Sequence, residues 1–143
     1  MGLFDIFKKD KKEKVAINDN IFGNLTLIDE GWIKSFEMTL FDNNYDIDLI
    51  VENDENEEES ISEKPKNTYM KFMEEQLRIR SEVEKIITDK YSFVDKSEIF
   101  NSRPLSINFE LSGIAKLTCS IGSEGSEIIE FELLPQVKFS KVL

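Results

Sequence analysis

Carboxylates are the reactive side chains that this sequence supplies in quantity. The run ENDENEEES, residues 52–60, holds six acids among nine residues and no basic residue. Asp46 and Asp48 precede it in the alternating stretch YDIDLIV. Such clusters attract basic protein surfaces, and run 52–60 is also typical of a solvated connector. We predict a partner-binding surface built from eight acids, Asp46, Asp48, Glu52, Asp54, Glu55, Glu57, Glu58 and Glu59.

Acidic clusters can also hold a metal ion or hydrolyse a glycoside, and both interpretations have weaker support. A calcium loop of the EF-hand type that began at Asp42 would need Gly at its sixth position and Glu at its twelfth. This chain has Ile47 and Asn53 there. A hydrolase needs a carboxylate pair held about 5 to 9 Å apart, which 29 acids supply by chance. We therefore expect no metal and no cofactor, and keep a carboxylate-based hydrolase as an alternative.

Most nucleophile-based enzyme mechanisms are excluded by composition. Histidine is absent and Cys119 is the only cysteine, so Ser-His-Asp and Cys-His pairs, His-ligated zinc and intrachain disulfides cannot form. Cys119 alternates with Leu117 and Ile121, which predicts a core position rather than a reactive thiol. We predict a protein that is not an enzyme.

Charge is concentrated in one third of the chain. The net charge is −11, and residues 29–63 hold thirteen acids against Lys34 alone. Counterion release on nucleic acid requires a basic surface, so we predict no direct nucleic acid binding and a basic protein as partner. The chain has no apolar run near the roughly 18 residues of a membrane span and no secretory signal, which predicts a cytoplasmic protein.

The first fourteen residues form a separate unit, MGLFDIFKKDKKEK. A small apolar cluster precedes five lysines, a pattern typical of a short amphipathic leader. A membrane-surface or scaffold adaptor that uses residues 1–14 is therefore a second alternative function.

The elements that must position the acids are strands and one helix. Residues 20–28, 32–41 and 45–51 read as strands, with Asp46 and Asp48 on the outward side of the third. Apolar residues at three- and four-residue steps predict one long helix, from an N-cap at Ser62 to Tyr91, with Met73 and Leu77 on its buried side. Further strands are predicted at 105–111, 113–121 and 127–134, and residues 137–143 are a candidate seventh.

These elements predict an α+β fold in which an antiparallel β-sheet packs against one long helix. The predicted order is β-β-β-α-β-β-β, with the candidate strand at the end. Residues 15–143 are expected to form a single domain, with residues 52–60 as an acidic connector between the first three strands and the helix.

The chain resembles a family of small bacterial proteins catalogued as a domain of unknown function. The resemblance is carried by a leader like MGLFDIFKK, by FGNL (22–25), Trp32 and Phe36, and by DIDLIV (46–51), ISEKPKNTYMKF (61–72) and LTC (117–119). Several relatives occur near secreted polymorphic toxins and are interpreted as immunity proteins. The resemblance implies a toxin-neutralising binding protein. This chain departs from the family after Cys119, where SIGSEGSEIIEF replaces a Trp-Asp, Glu-His-Gly stretch, and no catalytic residue is implied.

Overall fold

An eight-stranded sheet and three helices form the regular structure of residues 15–55, 60–125 and 127–143, the part of the chain that the computed structural model describes. The elements are β1 (Ala16–Asp19), β2 (Gly23–Ile28), β3 (Gly31–Leu40), β4 (Asn43–Val51), α1 (Glu63–Glu74), α2 (Gln76–Lys90), α3 (Lys96–Ile99), β5 (Arg103–Phe109), β6 (Ala115–Ile121), β7 (Glu127–Leu134) and β8 (Lys138–Val142). The predicted α+β class is confirmed, and the candidate last strand is present as β8. The predicted leader, residues 1–14, lies outside the described residues.

The strands lie side by side in chain order, and the neighbouring pairs are antiparallel except for β4 and β5. The expectation of an entirely antiparallel sheet was therefore wrong at this one pair. A parallel neighbour needs a long crossover. The connection from Val51 to Arg103 provides it, because it contains all three helices.

The first strand was missed by the prediction, which began at residue 20. β1 occupies Ala16–Asp19 instead, and residues 20–22 form the turn into β2. The Asp19 carboxylate accepts hydrogen bonds from the backbone N–H groups of Ile21 and Phe22, both at 2.9 Å. A four-residue edge strand has too little alternation to be recognised, but this Asp-led turn is common hairpin chemistry.

The single long helix was also wrong, because the chain forms two helices that meet at Glu75. Glu75 leaves helical geometry (φ −109°, ψ 15°), and its N–H bonds to the carbonyls of both Lys71 and Phe72. The buried stripe continues across this break, because Phe72 and Ile79 lie seven residues apart and are both buried. Met73 and Leu77 lie beside this stripe, so they are 40% and 72% exposed, although both were predicted to be buried.

The core lies between one face of the sheet and the helices. Phe72 of α1 has its ring centroid 5.8 Å from that of Phe109 on β5, and α2 contributes Ile79, Val83 and Ile87, all fully buried. Cys119 is fully buried, as predicted, and burial raises the pKa of its thiol. No helix in the described part of the chain is long and apolar enough to span a membrane.

Candidate functional site: an acidic sheet face

Three carboxylates stand together on the β3–β4 hairpin. Its two-residue turn, Phe41 and Asp42, has positive φ at both positions (48° and 64°), the geometry of a tight hairpin turn. This turn sets the register in which Glu37 lies directly opposite Asp46. Directly opposed side chains on antiparallel strands have Cβ atoms about 5 Å apart.

Asp48 extends this group toward the middle of the sheet. It lies two residues beyond Asp46 on the same side of β4, and its neighbours across the ladders are Ser35 on β3 and Ser106 on β5. The intervening Ile47 and Leu49 point into the core and are buried. Glu37, Asp46 and Asp48 are therefore exposed on the side of the sheet away from the helices, and we call these three residues the acidic face.

Within the described residues, no cation or hydrogen-bond donor engages the side chains of the acidic face. Lys34 is the only lysine or arginine on β3 or β4, and its Nζ donates instead to the backbone oxygen of Phe22 at 2.6 Å. Like charges directly opposite each other in a sheet are destabilising. The acidic face is therefore an arrangement that costs stability in the folded chain alone.

Ion pairs occur elsewhere on the open side of the sheet. Lys116 on β6 bonds to Glu110 at 3.0 Å, and Lys138 on β8 lies 3.6 Å from Glu132 on β7. The bond to Glu110 raises the pKa of Lys116 against the opposing effect of burial. Glu130 accepts a hydrogen bond from Ser140, whereas the acids of β3 and β4 have no such partner within the described residues.

Three acids of the predicted connector are described, and they follow the C-terminal end of β4. Glu52 is tied to the β5–β6 turn, because its Oε1 accepts a hydrogen bond from Leu111 N at 2.8 Å. Asp54 is half-buried in the following loop and Glu55 is exposed. The other three predicted site residues, Glu57, Glu58 and Glu59, lie outside the described residues. The structure therefore groups Asp46 with Asp48 and fixes Glu52 at another position.

A cleft of about 380 Å³ near Glu52 is where a carboxylate-based hydrolase would be sought. Its acidic lining residues are Glu30, Glu52 and Glu110. Glu52 already accepts the Leu111 hydrogen bond and Glu110 the Lys116 ion pair. Two of the three carboxylates thus have structural partners, which gives no support to an acid pair free for catalysis.

The calcium-like spacing from Asp42 to Asp48 falls on a turn and an extended strand. Asn44, Asp46 and Asp48 alternate along β4, so their side chains project from one side of the sheet and do not curl around a centre. In the described part of the chain, no group of three or more Asp, Glu, Cys or His side chains could hold a metal ion.

Glu37 is the member of the acidic face that sequence reasoning missed as a site residue. Its outward position on β3 was readable from the alternation in WIKSFEMTLF. Its partner was not, because the predicted turn over residues 42–44 gives a different register from the observed turn over 41–42.

Comparison of the chain with protein-family models, with curated proteins and with solved structures found no match.

Proposed function

We propose that this chain is a non-enzymatic binding protein whose acidic face receives a basic surface of another protein. The observation that carries the proposal is the cross-strand pair Glu37 and Asp46, with Asp48 beside it, all without a cation in the described chain. The carboxylates of the acidic face repel one another in the free protein, and this repulsion falls when lysines or arginines of a partner approach. Such complementarity speeds association and selects the partner.

The partner is a basic protein rather than a nucleic acid. Phosphates would face the same carboxylates, and binding to nucleic acid requires lysines and arginines on the contact surface. On the open side of the sheet, Lys116 and Lys138 are held in ion pairs with Glu110 and Glu132. Lys141 lies directly opposite Glu130 across the β7–β8 ladder.

The role that we propose for this protein is immunity against a basic toxin domain in the cytoplasm. This part of the proposal is supported by the resemblance to the family with toxin-associated members. The mechanism is occlusion, in which the acidic face covers the cationic groups that the toxin uses on nucleic acid. The connector acids Glu52, Asp54, Glu55, Glu57, Glu58 and Glu59 would extend the contact.

Affinity capture from a lysate of the organism that encodes the chain tests the proposal. The bait is compared with a Glu37→Gln, Asp46→Asn, Asp48→Asn variant, and captured proteins are washed at low and then high salt. A matched control removes three exposed acids elsewhere instead, by Asp29→Asn, Glu63→Gln and Asp89→Asn. Both variants change the net charge equally.

We expect a basic protein that is released by high salt, is lost with the acidic-face variant and is retained by the matched control. A second variant, Glu57→Gln, Glu58→Gln and Glu59→Gln, tells whether the connector contributes. A captured partner indifferent to the acidic-face substitutions would contradict the proposed site.

Liposome flotation of a Phe4→Ala, Phe7→Ala variant tests the adaptor alternative, which predicts that these substitutions abolish flotation.

A further inference from the structure

One side of β3 has no neighbouring strand over most of its length. β2 pairs with β3 only through three residue pairs, from Thr26 with Ile33 to Ile28 with Gly31. Beyond Ile33, residues 35–40 have β4 on one side and no described strand on the other. Lys34 lies at the point of divergence, where its Nζ bonds to the backbone of Phe22.

An edge of this kind exposes main-chain hydrogen-bonding groups. In an antiparallel pair, every second residue directs its N–H and C=O away from its partner strand. On β3 between Ser35 and Leu40, those groups have no backbone partner among the described residues. Such a row is a ready template for another strand, and extended peptides bind to sheets by adding to it.

A groove of about 560 Å³ runs beside this edge. Its sheet side is formed by Glu37, Met38 and Thr39, and its helical side by the junction of α1 and α2, from Phe72 to Arg78, together with Arg80. The junction leaves Met73 and Leu77 exposed at the groove, with Leu77 at 72%. Two apolar side chains of the helices thus lie next to the free strand edge.

The charges around the groove favour a cationic occupant. Both arginines of the groove already have acidic partners, because Arg78 lies 2.8 Å from Glu75 and 2.7 Å from Glu82. Arg80 lies 4.0 Å from Glu84. Glu37 makes no ion pair within the described chain, and neither does Glu74 on the helical side. One oxygen of Glu75, Oε2, is buried and accepts no hydrogen bond there. The groove therefore offers acceptors and unneutralised acids.

We infer that a segment of the basic partner binds as an additional strand along β3 from Ser35 to Leu40. Side chains of an added strand alternate between two sides. On one side, basic residues would lie beside Glu37 and the acidic face. On the other, apolar residues would enter the groove against Met73 and Leu77. This inference rests on the proposed function and specifies the partner segment, which is extended and alternates basic with apolar residues.

Synthetic peptides test the strand addition on the full chain. The first probe alternates lysine and valine. Two further probes have the same side chains but carry N-methyl groups on alternate backbone amides, one in each phase, which removes donors from one edge of the peptide at a time. Affinity is measured by fluorescence anisotropy, and amide hydrogen exchange is followed on β3.

We expect the unmodified peptide to bind and one N-methylated phase to bind at least about tenfold more weakly. Binding should slow exchange of amides within residues 35–40. Leu77→Ser should weaken binding about tenfold, because it removes an apolar contact. Met73→Ser provides a second variant at the groove. Phe93→Ser is the matched control, because Phe93 is 82% exposed but does not line the groove, and should change affinity less than about twofold.

Equal binding of all three peptides without protection of β3 would overturn strand addition, as would failure of every peptide to bind. The proposed function would then be judged separately by the capture experiment, which does not depend on backbone pairing. Two other occupants would also overturn the inference. Dimerisation that Leu77→Ser abolishes would identify a second copy. Tighter peptide binding by a Phe4→Ser, Phe7→Ser variant would identify residues 1–14 of the chain itself.

Discussion

Glu37 and Asp46 face each other across two strands, and exposed like charges at this distance repel by roughly 1 kcal/mol or less. Glu37→Lys should turn the repulsion into attraction and raise the free energy of unfolding by about 0.5–1 kcal/mol. It should also reduce capture of the basic partner. Urea denaturation measures the first effect and affinity capture the second.

Asp29→Lys is the control for the Glu37 substitution, because it makes the same charge change at an exposed position in the turn between β2 and β3, away from any helix end. It should leave both stability and capture nearly unchanged. If the Glu37→Lys variant were no more stable than the unchanged chain, the carboxylates of the acidic face would not repel one another. The physical basis of the proposed site would then fail.

Gly31 is the first residue of β3, and its backbone φ of +137° is one that residues with a side chain rarely adopt. A Cβ there would lie 2.3 Å from the backbone oxygen of Val51. Gly31→Ala should therefore cost more than about 2 kcal/mol, since the clash is with backbone at the end of the β3–β4 ladder. Thermal or urea unfolding measures the loss.

Gly113→Ala separates the clash from backbone strain. Gly113 also has positive φ (+93°), but its nearest contact would be Thr68 Oγ1 at 3.7 Å. Its substitution should cost about 1–2 kcal/mol from the left-handed backbone alone. Equal losses for the two variants would contradict the close approach to Val51.

Among the elements, the β1–β2 hairpin is joined to α1 through Asp19. The carboxylate lies 3.1 Å from Lys66 Nζ and also accepts the N–H groups of Ile21 and Phe22. Burial opposes ionisation, but the backbone bonds from Phe22 and Ile21, together with Lys66, hold the pKa of Asp19 below its ordinary value of 3.8. The ionised form therefore stabilises the fold.

A depressed pKa contributes stability above the ordinary value, and this contribution is lost as the pH falls through the folded-state value. Asp19→Asn should cost about 1–2 kcal/mol at neutral pH. The difference from the unchanged chain should shrink once the pH falls below about 3.8. Urea unfolding at neutral pH and at a pH below about 3.8 measures the difference in the free energy of unfolding. Asp89→Asn, at an exposed helix position, should show no such dependence, and a gap that persists in acid would contradict the linkage.

The helices break at a point that the sequence does not mark. Neither Gly nor Pro lies near Glu75, so the usual signals for a helix end are missing. Phe72 and Ile79 are seven residues apart and stay on the same buried side through the break. Leu77 lies off that side and is exposed beside the free edge of β3.

At the scale of the whole molecule, Cys119 reports on unfolding of the sheet. It lies on β6, which pairs with β5 and β7, and its side chain is fully buried. Burial raises the pKa of the thiol, so little reactive thiolate forms in the folded chain. Thiol labelling should therefore proceed at the rate set by global unfolding and accelerate with denaturant as the sheet unfolds.

Labelling of the native chain at the rate of a free peptide thiol would contradict this burial. Gly31→Ala offers a matched comparison, because it destabilises the fold far from Cys119. If labelling reports global unfolding, the logarithm of the labelling rate should rise in proportion to the loss of stability, by about tenfold in rate for each 1.4 kcal/mol.

The sequence by itself determined the fold class, the inward alternation of β4 and β6 and the outward direction of Asp46 and Asp48. These features follow from the local periodicity of apolar and polar residues and from the excess of acidic residues in the sequence. Tertiary structure alone decided the rest. The two-residue turn chose the register that sets Glu37 against Asp46. The helical crossover made β4 and β5 parallel, and the packing of the helices beside β3 formed the groove. Each of these depends on contacts between residues distant in the chain, such as the hydrogen bond from the Phe41 N–H at the hairpin turn to Glu84 on α2. Local patterns do not encode such contacts.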